Sequence, residues 1–307
     1  MASVDAQAVA VAPPIRSRGS SARFLRRLAR HQPAAFASGF VLVAIFILGA
    51  IVPLITPANA LQIHLGADFR DNPPSLAAGW NILGTDGIGR AVLLRTLDGL
   101  HTTEQSALLA TLLATLIGVA VGGFSGYRGG SADAVLMRFA DMLGVFPALL
   151  LLLAAYTYFT PVTVSKATLI LCAYLWIPVA RVVRAEISTL RSREFVQAAL
   201  SLGASDRRVF FRHLLPNASG TIIVAATALL GQVIMLEATV EFFGLGVSSE
   251  IRPTLGNLIG DGQRNVLALG WGWWTWAGPA VMLVVILVCA NLLGDGVADA
   301  LRPARPR

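Results

Sequence analysis

The stretch "REFVQAALSLGASDRRVFFRHLLPN" (Arg193–Asn217) is a short basic block in a chain otherwise dominated by apolar side chains. It lies between two long apolar runs, Ala167–Val183 and Thr221–Glu241. Each run approaches the ~20 residues that an α-helix needs to cross ~30 Å of hydrocarbon. A basic block between two such runs predicts a connection that two spanning helices hold at one face of a membrane.

The composition of the whole chain supports this interpretation. Of 307 residues, 55% are hydrophobic and only 13% are charged, whereas a soluble domain has about 25% charged residues. A surface that faces water needs more charged residues than this chain has. We therefore predict an all-α membrane protein with several spans in a lipid bilayer. The formal charge of +7 does not indicate a nucleic-acid partner, because the basic residues cluster between the apolar runs.

Six apolar runs are candidates for spanning helices, and the first is interpreted as an uncleaved anchor. They are Phe36–Ile55, Ala107–Gly126, Met137–Phe159, Ala167–Val183, Thr221–Glu241 and Trp274–Leu293. The predicted division is a partly disordered tail at 1–33, the first span at 34–56, an outer loop at 57–104, a five-span core at 105–296 and a tail at 297–307. Residues 24–30 are either a short interfacial helix or a plain positive flank, and both interpretations stay open.

The basic residues also orient the predicted spans. Of the 24 Lys and Arg residues, 18 fall in the N-terminal tail, between spans two and three, between spans four and five, or after span six. The other six fall in the remaining connections. Positive residues are retained in the cytoplasm, so both termini and the Arg193–Asn217 block are expected on the cytoplasmic side of the membrane.

The basic block has the pattern of two short helices joined by a tight turn. Phe195, Ala198, Ala199 and Leu202 recur at helical spacing and predict one apolar stripe. Gly203 follows the stripe, where a helix ends in the left-handed conformation. Ser205 or Asp206 can cap a second helix, which Pro216 is expected to end. We call Glu194–Pro216 the knuckle; from physics alone, a helix lying on the lipid surface explains it equally well.

Two carboxylates stand out within the fifth apolar run. Glu237 and Glu241 are one helical turn apart, and carboxylates inside a membrane mark functional sites by default. They are candidate pore or gate residues, and the alternative is an interfacial pair that bonds to backbone or water. Elsewhere, Arg138 and Asp141 are expected to form an ion pair, and Gly118 and Gly122 to allow close helix packing.

No enzymatic constellation is visible in the sequence. The only lysine, Lys166, lies outside any glycine-rich loop, so there is no Walker A motif. The four histidines have no zinc-binding spacing. We therefore expect no catalytic residue, cofactor site or metal site in this chain. In the long outer loop, Ile88, Val92 and Leu93 suggest a short amphipathic helix on the outer membrane face.

The knuckle carries a known pattern: "QAALSLG" is followed after nine residues by "HLLP". This resembles the EAA motif of ABC importer permeases, although Gln197 replaces the usual Glu and His213 the usual Ile. Four further segments are similar to the dipeptide, oligopeptide and nickel branch of that family (DppC/OppC type): Leu83–Arg95, Gly126–Leu152, Leu236–Val247 and Asn291–Pro303.

The resemblance implies a fold, a site and partners. The expected fold is the six-helix type I ABC importer permease, with a cytoplasmic coupling helix between spans four and five. The implied ATPase-coupling residues are Glu194, Gln197, Ala198, Ala199, Leu202, Gly203, Ala204, Asp206, Leu215 and Pro216. The implied partners are a second permease (DppB/OppB type), two ATPase subunits or domains that bind ATP and Mg²⁺, and an extracytoplasmic solute-binding protein. The implied substrate is a di- or oligopeptide.

Three alternatives are weighed against this function. One is an ion-coupled secondary transporter that uses Glu237 or Glu241 as its proton site, although no inverted repeat is visible. Another is the same ABC class carrying nickel or another small solute. The last is a membrane scaffold that carries no solute.

Overall fold

A computed structural model describes residues 32–55, 72–75, 79–247, 252–270 and 272–301. Apart from two isolated β-bridges, the regular structure of these residues is helical. The N-terminal tail with its expected interfacial helix, much of the outer loop and the end of the C-terminal tail lie outside the described residues.

The described helices are mostly long. They are α1 (Pro33–Ile55), α2 (Val92–Arg128), α3 (Gly130–Gly144), α4 (Ala148–Tyr158), α5 (Val164–Arg191), α6 (Glu194–Ser201), α7 (Asp206–Val209), α8 (Leu215–Phe242), α9 (Leu255–Leu269) and α10 (Trp274–Leu301). A π-helical turn at Phe210–Leu214 joins α7 to α8 without a break.

Five of the described segments are long and apolar enough to cross a membrane: α1, α2, α5, the continuous α7–α8 helix and α10. A sixth span exists only if α3 and α4 count as one span bent by 81°. The predicted span Met137–Phe159 is therefore broken, because α3 ends at Gly144 and α4 begins at Ala148. Pro147 explains the break, because a proline lacks the N–H of a helical residue and pushes the preceding residue out of the helical conformation. The chain is a multi-pass membrane protein.

The most extensive helix contact is between α2 and α5. Small residues on α2 make it possible: a Cβ atom added at Gly118 would lie 2.6 Å from Cβ of Val179, and one at Gly126 would lie 2.5 Å from the Arg184 carbonyl. A Cβ atom at Gly122 would overlap the Ala180 carbonyl. The predicted close packing is confirmed, and its partner helix belongs to the same chain.

Helix α9 was not predicted from the sequence. Thr254 and Asn257 form a reciprocal capping box at its start, which supplies partners for otherwise unpaired backbone N–H groups. The helix packs between α8, α10 and α2. Gly256 and Gly260 let it approach α8, because a Cβ atom at either would lie 2.5 Å from a backbone carbonyl of that helix.

Helix α2 begins much earlier than the sequence indicated. The outer loop was predicted to run to residue 104, with a separate amphipathic helix around Val92. Instead, Val92 is the first residue of a 37-residue helix, and Val92 and Leu94 are buried against the bundle. At 1.5 Å per residue the helix is roughly 55 Å long, so it extends beyond the hydrocarbon core.

Candidate functional site

The first helix of the knuckle, α6, is fixed to the bundle by one fully buried side chain, Val196. Phe195 and Ala199 pack beside it and are half-buried. Ala198 is exposed, and Leu202 is 88% exposed. The predicted single stripe is therefore wrong in part, because two of its four members face the bundle and two face away from it.

The turn after α6 has the geometry that Gly203 predicts. Gly203 has a φ of +80°, its N–H donates to the Leu200 carbonyl (2.9 Å), and the Ala204 N–H donates to the Ala199 carbonyl (3.1 Å). This pair of bonds is a Schellman motif, which satisfies the last carbonyls of a helix and reverses the chain. The predicted left-handed helix end is confirmed.

The second helix of the knuckle begins where predicted and ends elsewhere. The Ser205 hydroxyl accepts a hydrogen bond from the Arg208 N–H (3.4 Å), so Ser205 is the N-cap. The helix does not end at Pro216, as was predicted, but continues through it into α8. The π turn at Phe210–Leu214 just before this proline changes the hydrogen-bond register where Pro216 cannot donate.

Most of the implied coupling residues lie on the exposed surface of the knuckle. Those exposed on α6, the turn and the start of α7 are Glu194, Gln197, Ala198, Leu202, Gly203 and Asp206. Ala199 and Ala204 are half-buried beneath them. Leu215 and Pro216 lie apart from this group, on the first turn of α8.

Gln197, which departs from the family pattern, has a defined contact. Its side-chain nitrogen donates to the Arg191 carbonyl at 2.9 Å, which caps the C-terminal end of α5. A glutamate at this position could not donate that bond, and its charge would face the negative end of the helix dipole. The amide therefore links the knuckle to the end of α5 through a hydrogen bond that an ionised carboxylate cannot donate.

The two carboxylates of the fifth span lie deep in the bundle. Glu237 and Glu241 are each 1% exposed, so both side chains are enclosed by protein. The Ser106 hydroxyl donates to Glu237 Oε1. Glu241 faces Thr254, but neither of its carboxylate oxygens is in hydrogen-bonding geometry with any described group. No ion pair involves either glutamate among the described residues.

Two more polar side chains are buried in the bundle, and they were not singled out from the sequence. Glu104 on α2 is buried with one oxygen unpartnered, and it packs against Gly49 of α1. The Tyr156 hydroxyl on α4 is also buried without a hydrogen bond among the described groups, and it lies near both Glu237 and Glu241. We call Glu104, Tyr156, Glu237 and Glu241 the buried acidic layer. Its apolar surroundings make unpaired charge costly.

A cavity of about 790 Å³ lies at the end of the bundle opposite the knuckle. It is bounded by the α4–α5 connection, the segment after α8 and helix α9, and its volume is typical of a small-molecule pocket. Its ionisable lining residues are Glu241, Arg252, Asp261 and Arg264. One member of the buried acidic layer, Glu241, therefore lines a cavity that also contains charged residues of the segment after α8 and of α9.

The GTDG segment at this end is structural. Asp86 accepts hydrogen bonds from the backbone N–H groups of Ile88 and Arg90, and its carboxylate pairs with Arg90 Nε (2.9 Å) and Arg95 Nη1 (2.8 Å). The adjacent Thr85 carbonyl accepts from the Trp274 indole (3.1 Å). Both carboxylate oxygens of Asp86 are thus used to close the loop and tie it to α2.

The ion pairs near the knuckle also differ from expectation. Asp141 pairs with Arg181 of α5 at 2.9 Å, so the predicted pair with Arg138 is wrong. Asp133 of α3 receives both a bidentate bond from Arg184 of α5 and a bond from Ser125 of α2. The arginines on α5 are 40 and 51 positions from Asp141 and Asp133 in the sequence, so helical spacing gave no signal for these pairs.

Comparison with known proteins agrees with this geometry. Residues 114–305 match the family described as binding-protein-dependent transport system inner membrane component. The oligopeptide transport system permease protein OppC of Mycobacterium tuberculosis is 34% identical, covering 91% of this chain and 93% of its own. The dipeptide transport system permease protein DppC of Bacillus subtilis is 32% identical, covering 91% and 84%. A solved inward-facing structure of the MetNI methionine ABC transporter superposes with a TM-score of 0.54 at 20% identity, covering 69% of this chain and 97% of the other.

The bent α3–α4 pair, the five long helices and the knuckle between α5 and α8 together define the permease fold of type I ABC importers. Within that class, the chain belongs to the family of binding-protein-dependent transport system inner membrane components. This membership favours an ABC permease over an ion-coupled secondary transporter.

Proposed function

We propose that this chain forms half of the translocation pathway of an ATP-driven importer for di- and oligopeptides. Support comes from relatives named as oligopeptide and dipeptide permeases, which match along most of the chain. The other half of the pathway is a second permease of the DppB/OppB type. An extracytoplasmic solute-binding protein delivers the peptide to the pair.

The knuckle is the surface through which ATPase subunits act on this chain. The observation that carries this proposal is the exposure of Leu202 at the tip of a turn that is otherwise rigidly held. An exposed leucine beside Ala198, framed by polar residues, fits an apolar groove on a protein partner. ATP and Mg²⁺ bind to that partner, and this chain supplies no catalytic, cofactor or metal-binding group.

The orientation of the chain follows from this assignment. The knuckle and both termini face the cytoplasm of a bacterial cell, with the basic residues on that side. The buried acidic layer and the 790 Å³ cavity then lie toward the outer face. There Glu237 and Glu241 serve as gate residues beside the path of the solute.

Transport by the reconstituted complex tests the function. The permease is co-expressed with its partner subunits, placed in proteoliposomes with the binding protein, and supplied with labelled di- and tripeptides or with nickel. We expect peptide uptake that requires ATP, is blocked by vanadate and survives an uncoupler. Uptake abolished by the uncoupler alone would support ion coupling. Uptake of nickel without uptake of peptide would mean that nickel, not a peptide, is the substrate. A complex that carries neither would leave the scaffold alternative.

Labelling of a single introduced cysteine tests the orientation. Ser205→Cys is placed in a chain whose buried Cys172 and Cys289 are changed to alanine. We expect a membrane-impermeant maleimide to label it in inside-out vesicles and not in sealed cells. Labelling in sealed cells would reverse the proposed topology.

A further inference from the structure

We infer that Tyr127, on the last turn of α2, is a positioning residue that connects the knuckle to the helix bundle. This inference rests on the proposed function, in which the knuckle receives the movement of the ATPase subunits. Tyr127 lies outside the EAA-like pattern. It is placed at the knuckle only by the fold, because it is 79 positions from its main partner in the sequence.

Tyr127 contacts the second helix of the knuckle through two groups. Its hydroxyl donates to Asp206 Oδ1 at 2.7 Å. Its ring meets the ring of Phe210 edge-on, with centroids 6.0 Å apart and planes at 74°. Asp206 is on the first turn of α7, and Phe210 begins the π turn. One side chain of α2 therefore holds both ends of α7.

Tyr127 is also linked to the first helix of the knuckle. The guanidinium of Arg191, at the end of α5, lies over the Tyr127 ring at 5.2 Å from its centroid. This distance suits a cation–π interaction. The Arg191 carbonyl in turn accepts the hydrogen bond from Gln197 on α6. Tyr127 thus contacts α7 on one side and the junction of α5 and α6 on the other. A movement of α6 relative to α7 would therefore act on Tyr127.

The chain connectivity shows why this contact matters. Helices α5 and α8 are joined to the knuckle by the backbone, so they follow its movement directly. Helix α2 has no such connection. It is locked to α5 by the small-residue packing at Gly118, Gly122 and Gly126. Tyr127, together with the close approach of Phe210 to Gly123, ties it to the α7 side.

Helix α2 leads from Tyr127 to the opposite end of the bundle. There Ser106 donates to Glu237, and the Thr103 hydroxyl accepts from the Leu255 N–H at the start of α9 (3.1 Å). A 37-residue helix is stiff over this length. A shift of the knuckle that pulls on Tyr127 is therefore carried to the buried acidic layer and to α9, which borders the cavity.

The contact is suited to coupling rather than to holding the fold. The Tyr127–Asp206 hydrogen bond is exposed, and exposed polar contacts contribute little to stability. Loss of the hydroxyl should leave insertion and folding intact. A coupling defect and a folding defect can therefore be separated by experiment.

The test compares variants of the full complex in proteoliposomes at equal ATPase content. Tyr127→Phe keeps the ring contacts and removes only the hydroxyl, and Asp206→Ala removes the acceptor. Asp206→Asn retains an oxygen acceptor. Tyr158→Phe is the matched control, because Tyr158 is an exposed tyrosine outside the knuckle. The readout is the amount of peptide imported per ATP hydrolysed.

We expect Tyr127→Phe and Asp206→Ala each to lower uptake per ATP by about two- to fivefold, the range for one exposed hydrogen bond, and their combination to be no worse. Asp206→Asn should lose less than Asp206→Ala, and Tyr158→Phe should lose nothing. Wild-type uptake per ATP by Tyr127→Phe, or fully additive losses in the double variant, would overturn the inference. If the unaltered complex neither hydrolyses ATP nor imports peptide, the proposed function itself fails, and the inference fails with it.

Discussion

The knuckle and the buried acidic layer both contain polar residues in a mostly apolar chain, but they differ in the exposure and hydrogen bonding of those residues. At the knuckle, Gln197 and Asp206 are exposed, and each forms a hydrogen bond with a defined partner. In the acidic layer, Glu237 and Glu241 are almost completely buried, and three of their four carboxylate oxygens have no hydrogen bond among the described groups.

This difference separates two uses of polar chemistry in one membrane protein. Paired groups at the protein surface hold the knuckle in one position against the bundle. Unpaired carboxylates inside the bundle weaken the fold, since burying them is unfavourable. Their presence there points to a role in transport rather than in stability. Substitutions in the knuckle should therefore impair transport and leave the fold unchanged. Substitutions of the buried carboxylates should impair transport and leave the fold equally or more stable.

The largest effect is expected at Gly203. A β-branched residue is strained in the left-handed conformation by roughly 2 kcal/mol. Gly203→Val should therefore reduce uptake to below about a tenth, since the turn would no longer present Leu202 correctly. No atom lies within 4 Å of a Cβ atom built at this position, so the cost arises from the backbone alone. Membrane abundance, bound ATPase and uptake would be measured.

Gly270→Val is the matched control for this variant. Gly270 also has a positive φ (+76°) and open space where a Cβ atom would lie, but it ends α9. Gly203→Ala should be milder than Gly203→Val. Wild-type uptake by Gly203→Val with the ATPase still bound would show that the knuckle is not the coupling element.

A somewhat smaller effect is expected for Leu202→Ala. The side chain is exposed in the isolated chain, so the free energy of unfolding should change by less than about 0.5 kcal/mol. Burial in an ATPase groove would contribute roughly 1.5 kcal/mol, so the complex should dissociate about tenfold more readily. Pull-down titration against the ATPase measures this. Unchanged affinity would locate the docking surface elsewhere; exposed Leu267 of α9 offers a control substitution.

Glu241→Gln and Glu237→Gln test the other region. Each keeps the shape of the side chain and removes its ability to ionise. We expect the free energy of unfolding in detergent to stay equal or rise by up to about 1 kcal/mol, because a buried carboxyl group that is costly to ionise is replaced. Uptake should fall about three- to tenfold if the residues lie beside the solute path. Asp261→Asn, at the cavity mouth, gives a comparison at a less buried carboxylate. Unaltered uptake in both glutamine variants would remove them from the gate.

The smallest effect is expected for Gln197→Glu, which restores the residue usual in the EAA pattern. The Arg191 carbonyl would lose its donor and face a negative charge, and a cost of about 1 kcal/mol corresponds to roughly a fivefold change. We expect uptake to fall by no more than that. Gln197→Met, which removes the donor without adding charge, separates the two causes. Increased uptake by Gln197→Glu would mean that the partner ATPase prefers the carboxylate.

The sequence by itself determined the class, most of the helices and the turn of the knuckle. Apolar runs of about 20 residues have few alternatives to spanning helices, since a backbone in lipid must satisfy its own hydrogen bonds. Gly203 specified its turn because a left-handed residue is favourable for glycine and costly for others. These are local requirements, and a single stretch of sequence is enough to reveal them.

The tertiary structure alone decided which polar groups meet. Asp141 pairs with Arg181 rather than Arg138, Tyr127 contacts Asp206, and Glu241 is enclosed within the bundle. Local periodicity also failed where a proline was present: Pro147 lies in the break between α3 and α4, whereas the helix continues through Pro216 after a π turn. Whether a proline ends a helix depends on how its neighbours pack, and contacts between distant segments depend on the path of the chain, so only the folded bundle fixes them.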